Sequence, residues 1–336
     1  MTLALCLLGY SALVCVAGPP ILTRLTGHGS VPALGVATWL VTVVTVLGAW
    51  AGASVALAAQ VAHTWDLPTA HLFGECVVAM HATADGGHGP FAQLAALVSA
   101  LALFGFVAMR GARVVRTLVH ARTSSARHAR SAAIIGRRLT DAEQIGDTAT
   151  VVIDAPQKAA YCVAGRPGAV VVTSAAVAAL DGPQLAAVLA HEDAHLTGHH
   201  HLIRASTRAL AAALPFLPLF PAADDRITQL LEMCADDRAA GRHSRTAILT
   251  ALLALADPAG DGTSAGRTGG VPDPALGTST VAVGARVGRL LDPESRPRRA
   301  ARGLPLAGFA GLVAVLPASG YLLVEAGMAG CLPFLH

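Results

Sequence analysis

The chain has 336 residues, of which 54% are hydrophobic and only 13% charged, and its mean hydropathy is +0.56. This balance excludes an ordinary soluble globular protein, because the excess apolar surface must face lipid. The net charge of +3 is too small to indicate binding to nucleic acid, and we expect no such partner.

Four stretches lack charged residues over a length that could cross a bilayer. They are Leu3 to Ala17, Leu34 to Ala59, Ala92 to Met109 and Leu304 to Val324. The first has no basic residue before it and no A-x-A cleavage site ahead of a predicted turn at Gly18-Pro19-Pro20, so we interpret it as an uncleaved anchor. The sequence therefore predicts three transmembrane helices within residues 1–109 and a fourth at 304–324.

The distribution of arginine predicts which segments are cytoplasmic. Eight arginines and no acidic residue lie between Arg110 and Arg138, and "RPRRAARG" precedes the fourth predicted span. The loop at 60–91 has neither Lys nor Arg. Because basic loops stay on the cytoplasmic side, we expect residues 110–303 in the cytoplasm. The N-terminus, the loop at 60–91 and a short tail at 325–336 should lie outside.

Residues 110–147 are predicted to form a basic linker to a domain at 148–303. "TATVVIDAP", "AAYCVAG" and "GAVVVTSAAV" are β-branched runs between turn residues, which predict three strands of a small sheet between Thr148 and Val177. A helix follows, with Asp181 as its N-cap and Pro183 in its first turn.

The remainder of this domain is predicted to be helical with two interruptions. "ALAAALPFLPLFPAA" is apolar but contains three prolines, and its 15 residues are too few to span as a helix, so we expect an interfacial or buried hairpin. Helices are predicted at Asp224 to Arg242 and Thr246 to Ala256. Residues 257–277 are rich in Gly, Pro, Ser and Thr, which predicts a flexible loop.

The helix after Asp181 carries an H-E-x-x-H motif in "HEDAHLTGHHH", His191 to His201. Two histidines four residues apart share one helix face and can bind one zinc ion, and Glu192 between them can act as the general base of a metalloprotease. Random placement of the chain's His and Glu residues would give about 0.01 such matches, so coincidence is a weak explanation.

Two residues compete to be the third zinc ligand. The motif also fits H-E-x-x-H-x-x-G-x-x-H, in which His201 would bind the metal, but that pattern needs a Met-turn and Met233 lies in a predicted continuous helix. Glu232 lies on that same helix, one turn before Asp236. One carboxylate could bind zinc while the other accepts a hydrogen bond from a ligand histidine.

The three histidines that end the motif have a simpler interpretation. We expect His199, His200 and His201 to be solvated or to interact with the C-terminal end of the motif helix.

Three segments carry a resemblance to a known family: "VVVTSAAVAALDGPQLAAVLAHEDAHLTGHH", "LEMCADDRAA" and "RVGRLLDP". They resemble the membrane metallopeptidases of the beta-lactam sensor-transducer (BlaR/MecR) family and, more distantly, membrane proteases of the HtpX and CAAX-prenyl-protease type. The resemblance implies one Zn²⁺ held by His191, His195 and Glu232, with Glu192 as the catalytic residue and Asp236 supporting a ligand. Because the sequence runs only to His336, we expect no outer penicillin-binding domain.

The resulting prediction is an α-helical membrane protein with four transmembrane helices and an inserted α+β, zincin-like metallopeptidase domain of the gluzincin type. Its partners would be the lipid bilayer and a protein or peptide substrate bound along a sheet edge. By resemblance, the substrate would be a cytosolic transcriptional repressor cleaved in signal transduction. The alternatives are quality-control proteolysis of the HtpX type and a non-catalytic membrane metal sensor or transporter, although the spans lack the ionisable residues that ion paths need.

Overall fold

The structure is a computed structural model that describes residues 2–64, 90–138, 149–164, 168–256 and 280–331. The predicted flexible loop at 257–277, residues 65–89 of the predicted outer loop and residues 332–336 of the predicted tail lie outside the described residues. The helices are α1 (Thr2–Thr26), α2 (Pro32–Thr64), α3 (Pro90–Ile135), α4 (Ser174–Ala179), α5 (Gly182–Thr197), α6 (His200–Ala213), α7 (Leu219–Ala240), α8 (Arg245–Ala256), α9 (Thr280–Leu291) and α10 (Arg296–Cys331). The strands are β1 (Arg137–Arg138), β2 (Ala149–Ile153), β3 (Ala160–Val163) and β4 (Ala169–Thr173).

Three helices of the described chain are long and apolar enough to cross a membrane. They comprise Leu3–Thr26, Pro32–Ala56 and Arg296–Pro317, which correspond to the first, second and fourth predicted spans. The third predicted span lies within α3, and its crossing of the membrane stays a prediction. The same helix continues through much of the predicted linker, as far as Ile135.

The turn predicted at Gly18-Pro19-Pro20 is wrong, because α1 continues through both prolines to Thr26. Each proline deprives one carbonyl of its usual N–H partner. A turn in apolar surroundings would leave more backbone groups without partners, so the uninterrupted helix is the better solution there.

The four strands form one sheet in the order β1-β2-β4-β3. β2 and β4 are parallel, whereas β1 pairs with β2 and β3 pairs with β4 in antiparallel fashion. The three predicted strands are confirmed, but the third ends at Thr173 rather than near Val177. The Thr173 side chain accepts a hydrogen bond from the Ala176 N–H and so starts α4. In the described part of the chain, β3 is an edge strand.

Helix α5 begins as predicted and packs across the sheet. The Asp181 side chain accepts a hydrogen bond from the Gln184 N–H, and the Gln184 side chain accepts one from the Asp181 N–H. The two bonds form a capping box. Leu189 on its buried face packs with Val170 and Val172 of β4. The motif histidines are thereby held on a rigid element beside the sheet.

The proline-rich segment forms the end of α6, a turn at 214–218 and the start of α7. Helix α7 therefore begins five residues before the predicted Asp224 and includes Pro221 in its first turn. Its apolar face joins α1 and α2 in the largest buried cluster of the described chain, which includes Trp39, Phe220 and Ile227. The helix that carries Glu232 is thus anchored among the membrane-type helices.

Candidate metal centre

His191 and His195 lie one turn apart on α5 and face each other. Their Nε2 atoms are 3.2 Å apart, and both side chains are almost completely buried. Helices α5 and α7 pack directly against each other. The Nε2 atoms of both histidines face Glu232 in the C-terminal half of α7. The two imidazoles therefore open into one small space between two helices.

Glu232 of α7 supplies a carboxylate to this space. Its Oε2 lies 3.5 Å from His191 Nε2, and its Oε1 lies 3.6 Å from His195 Nε2. In a tetrahedral zinc site with bonds of about 2.0–2.1 Å, neighbouring ligand atoms lie about 3.3 Å apart. The separations of 3.2, 3.5 and 3.6 Å match that spacing closely, so the three side chains fit a zinc ion.

His201 does not reach this cluster. Within the described residues, the group able to hold a metal consists of His191, His195 and Glu232. The His201 ring lies 6.1 Å from the ring of His199 instead. Met233 is buried within an uninterrupted helix, so the expected absence of a Met-turn there is confirmed.

Asp236 lies one turn beyond Glu232 and contacts the first histidine. Its Oδ1 is 3.1 Å from His191 Nδ1, and the residue is only 1% exposed. A carboxylate in this position fixes the ring and leaves Nε2 free to bind a metal. The predicted arrangement of the two acidic residues is therefore present in the structure.

Arg286 of α9 completes the acidic side of the centre, and the sequence analysis missed it. Its Nε and Nη2 each donate to Asp236 over 2.7 Å, and its Nη1 lies 3.4 Å from Glu232 Oε2. Arg289, one turn later, donates from its Nη2 alone to both carboxylate oxygens of Asp237. Two arginines three residues apart, opposite adjacent aspartates, were the available signal in the sequence.

His200 corrects the expectation that the last three histidines of the motif are solvated. It is only 7% exposed, and its Nδ1 lies 2.9 Å from His195 Nδ1. Burial, followed by the charge of His195, lowers the pKa of His200 to about 4, so its ring is neutral near pH 7 and can accept a hydrogen bond on Nδ1. Each of the two facing histidines therefore has a partner on Nδ1.

The backbone between α5 and α6 makes this contact possible. His199 adopts φ 51°, in the left-handed region, which turns the chain sharply after Gly198. A Cβ on Gly198 would lie 2.5 Å from His200 Nε2 and 2.9 Å from the Ala194 carbonyl oxygen. Glycine is therefore required for His200 to fold back onto His195.

Glu192 lies between the two histidines and faces the edge strand β3. Burial raises the pKa of its carboxyl, while positive charge on His191 and His195 and a hydrogen bond from the Cys162 backbone oppose that rise. A raised pKa makes the Glu192 carboxylate a stronger base than a free one.

The electrostatic field at the centre favours positive charge. Burial acts to lower the pKa of His191, but hydrogen bonds to Asp236 and Glu232 outweigh it and raise the pKa to about 10. Burial likewise acts to raise the pKa of Asp236, yet Arg286 and His191 hold it at about 2. The pKa of Glu232 is also held well below its usual value, by hydrogen bonds from His191 and His195 that overcome burial. An ionised carboxylate beside two imidazoles is a suitable donor set for zinc.

Comparison with known proteins gives one match. Residues 125–256 match the family model of Peptidase family M48, a segment that contains the two facing histidines, Glu192, Glu232 and Asp236 but not Arg286. Searches of curated proteins and of solved structures found no significant match. M48 peptidases are zinc metalloproteases. Residues 125–256 are therefore similar to an M48 peptidase domain, and the apolar helices suggest membrane association.

Proposed function

We propose that the protein is an integral-membrane zinc endopeptidase. His191, His195 and Glu232 would hold one Zn²⁺, and Asp236 and His200 would orient the two histidines. The observation that carries this proposal is the convergence of three side chains whose nearest nitrogen and oxygen atoms lie 3.2–3.6 Å apart. A bound zinc ion would supply Lewis-acid chemistry, by polarising the scissile carbonyl and lowering the pKa of water.

Glu192 is the proposed acid–base residue. Its carboxylate takes a proton from the attacking water and delivers it to the nitrogen of the leaving amine. The Cys162 backbone and the flanking histidines restrict the carboxylate to the space beside the metal ligands. The same group can serve both steps because burial keeps its pKa above the usual value.

The substrate peptide would lie extended along β3. Thr173 N donates to the Ala159 oxygen, so residues 159, 161 and 163 direct their backbone groups toward β4. The backbone groups of Ala160 and Cys162 then point to the open edge, which is the side on which Glu192 lies. An added strand would pair with these groups and bring its carbonyl toward the metal ligands.

Replacing Glu192 with Gln tests the catalytic assignment. The variant should bind zinc as the native chain does but lose at least about 1,000-fold in the rate of peptide hydrolysis, because the amide cannot accept the proton. Asp193→Asn is the matched control, since it removes a charge from the adjacent residue, which pairs with Arg242 instead. Peptide hydrolysis that survived in Glu192→Gln would exclude this mechanism. A native chain that binds zinc but hydrolyses no peptide would instead favour a non-catalytic metal sensor or transporter.

The biological role we propose is regulated cleavage of a cytosolic transcriptional repressor, and it rests on the resemblance to the BlaR/MecR family. The arginine distribution supports a cytoplasmic active site. Contacts between the spans and the site could carry a signal for such regulation. The α1–α2 turn contacts α7 next to Glu232, and Arg302 near the start of α10 donates a hydrogen bond to Ser30 of that turn. Cleavage of misfolded membrane proteins, the HtpX type of role, is the alternative. Comparing cellular protein levels between the native chain and Glu192→Gln would identify the class that accumulates.

A further inference from the structure

The three candidate spans lie side by side with their middles at one level. The Tyr10 hydroxyl donates to the Val313 carbonyl over 2.6 Å, and Trp50 Nε1 donates to Ser11 Oγ over 2.9 Å. At one end of the bundle, Arg302 donates to Ser30 over 2.9 Å. The helices α1, α2 and α10 all contact one another, so these contacts set their relative levels.

Helix α7 runs along α2 in the opposite direction. The Phe220 ring lies 5.8 Å from the Trp50 ring. Further along, Leu230 packs so closely on Gly35 that an added Cβ would lie 3.0 Å from Leu230 Cδ1. Phe220 to Leu230 covers about 15 Å of helix, and Trp50 to Gly35 covers about 22 Å. The start of α7 therefore lies far from the α1–α2 turn.

We propose that α6, the turn at 214–218 and the first half of α7 form a re-entrant hairpin, whose turn contacts lipid acyl chains inside the bilayer. Helix α1 has 25 residues, or about 37 Å, which leaves little to spare for crossing a hydrocarbon core of about 30 Å. Ser11 is nine residues from its start, or about 14 Å along it. A bilayer crossed by α1 must therefore include the level of Ser11, Trp50 and Phe220.

The surface of the turn suits this environment. Residues 209–223 contain no charged side chain, and Phe216 at the turn is 55% exposed. Exposed apolar residues also cover the spans at this depth, among them Leu13 and Val44. The turn thus continues the lipid-facing surface of the bundle.

Several backbone groups of the turn are paired within the protein, as a bilayer interior favours. Leu214 N–H donates to the Leu210 oxygen, and Leu217 N–H donates to the Leu214 oxygen. The carbonyl of Ala213 accepts from Arg110, whose guanidinium also stacks over Phe216 at 5.3 Å. Arg110 is thus paired with a carbonyl of the turn, which lowers the cost of holding a guanidinium close to acyl chains.

Depth-dependent fluorescence quenching tests the proposal. Single cysteines replace Phe216, Val44 or Arg238 in a full-length variant whose native cysteines are changed to serine or alanine. Each is labelled with an environment-sensitive fluorophore and reconstituted into vesicles with nitroxide-labelled acyl chains. We expect the Phe216 label to be quenched by the nitroxides as strongly as the Val44 label and to be protected from aqueous iodide. The Arg238 label, at the exposed far end of α7, should be quenched by aqueous iodide and not by the nitroxides.

Two results would overturn the hairpin. Iodide quenching at Phe216 combined with nitroxide quenching at Val44 would place the turn at the membrane surface. Absence of nitroxide quenching at Val44 would show that α2 does not cross at this level. If the cysteine-free chain does not fold, Phe216→Asp is compared with Phe216→Leu in the native background. The aspartate variant should yield at least about fivefold less folded protein, and equal yields contradict the proposal.

Discussion

At the scale of single residues, Arg286 and Arg289 each bind an aspartate of α7 from α9, but only Arg286 reaches the candidate metal centre. Arg286 joins Asp236 to Glu232, whereas Arg289 binds Asp237 and the Met233 carbonyl. Arg289 therefore only docks α9 onto α7, whereas Arg286 also contacts the two carboxylates of the candidate site.

We predict that Arg286→Gln weakens zinc binding by about 10–100-fold, because Asp236 loses the group that holds it against His191. Competition with a chromophoric chelator measures this affinity. Arg289→Gln is the matched control and should bind zinc within about threefold of the native chain. Equal losses in both variants would mean that Arg286 only docks α9, and unchanged or tighter binding in Arg286→Gln would remove its positioning role.

Gly198 provides a second residue-scale prediction, which concerns His200. Gly198→Ala should displace the His200 ring, leave His195 Nδ1 without its partner and lower zinc affinity by about tenfold or more. Gly182→Ala near the start of the same helix is the control, since an added Cβ there meets nothing within 4 Å. Chelator competition should separate the two variants. Native affinity in Gly198→Ala would show that the His200 contact contributes nothing to the metal site.

At the scale of elements, the turn between α1 and α2 packs directly on the helix that carries Glu232. Gly29 has φ +60°, and a Cβ there would lie 2.3 Å from Met233 Sδ. Both the left-handed backbone and the close approach therefore require glycine. This contact links helices α1 and α2 to α7, the helix that carries Glu232.

Gly29→Ala should destabilise the fold by about 2 kcal/mol or more, because it combines backbone strain with overpacking. Thermal unfolding in detergent would show a lower Tm than that of the native chain. Gly48→Ala is the control, because an added Cβ on this part of α2 meets no neighbour within 4 Å. A native Tm for Gly29→Ala would mean that the turn does not pack tightly against α7.

At the scale of the whole molecule, the metal centre joins elements that are far apart in the sequence. Its residues come from α5 and α7, and Arg286 reaches it from α9, the helix that leads into α10. A ligand that bridges these helices binds only the folded chain, so its affinity adds to stability.

We predict that zinc in 100-fold excess over its dissociation constant stabilises the metal-free protein by about 2.7 kcal/mol, with a corresponding rise in Tm. His201→Ala should retain this stabilisation, because His201 lies outside the cluster. Glu232→Ala should lose most of it. The reverse pattern, with loss only in the His201 variant, would exchange the proposed third ligand.

Much of the site could be predicted from local patterns. The capping residues and apolar face of α5 depend on neighbours within one or two turns, so His191, Glu192 and His195 could be placed correctly. Glu232 and Asp236 could be paired for the same reason, as residues one turn apart on a helix. Arg286 and His200 could not, because one contact spans 50 residues and the other depends on a single left-handed residue, His199.

The sequence by itself determined the apolar spans, the motif helix and the acidic pair, because these follow from composition and helical periodicity. Only the tertiary structure decided which side chains meet. The packing of α7 on α5 brought Glu232 rather than His201 to the two histidines, and α9 added a guanidinium between the two carboxylates. Packing against α1 and α2 also drew the proline-rich turn to the level of the spans. Such contacts depend on the shapes and charges of surfaces that are distant in the chain, which local periodicity does not encode.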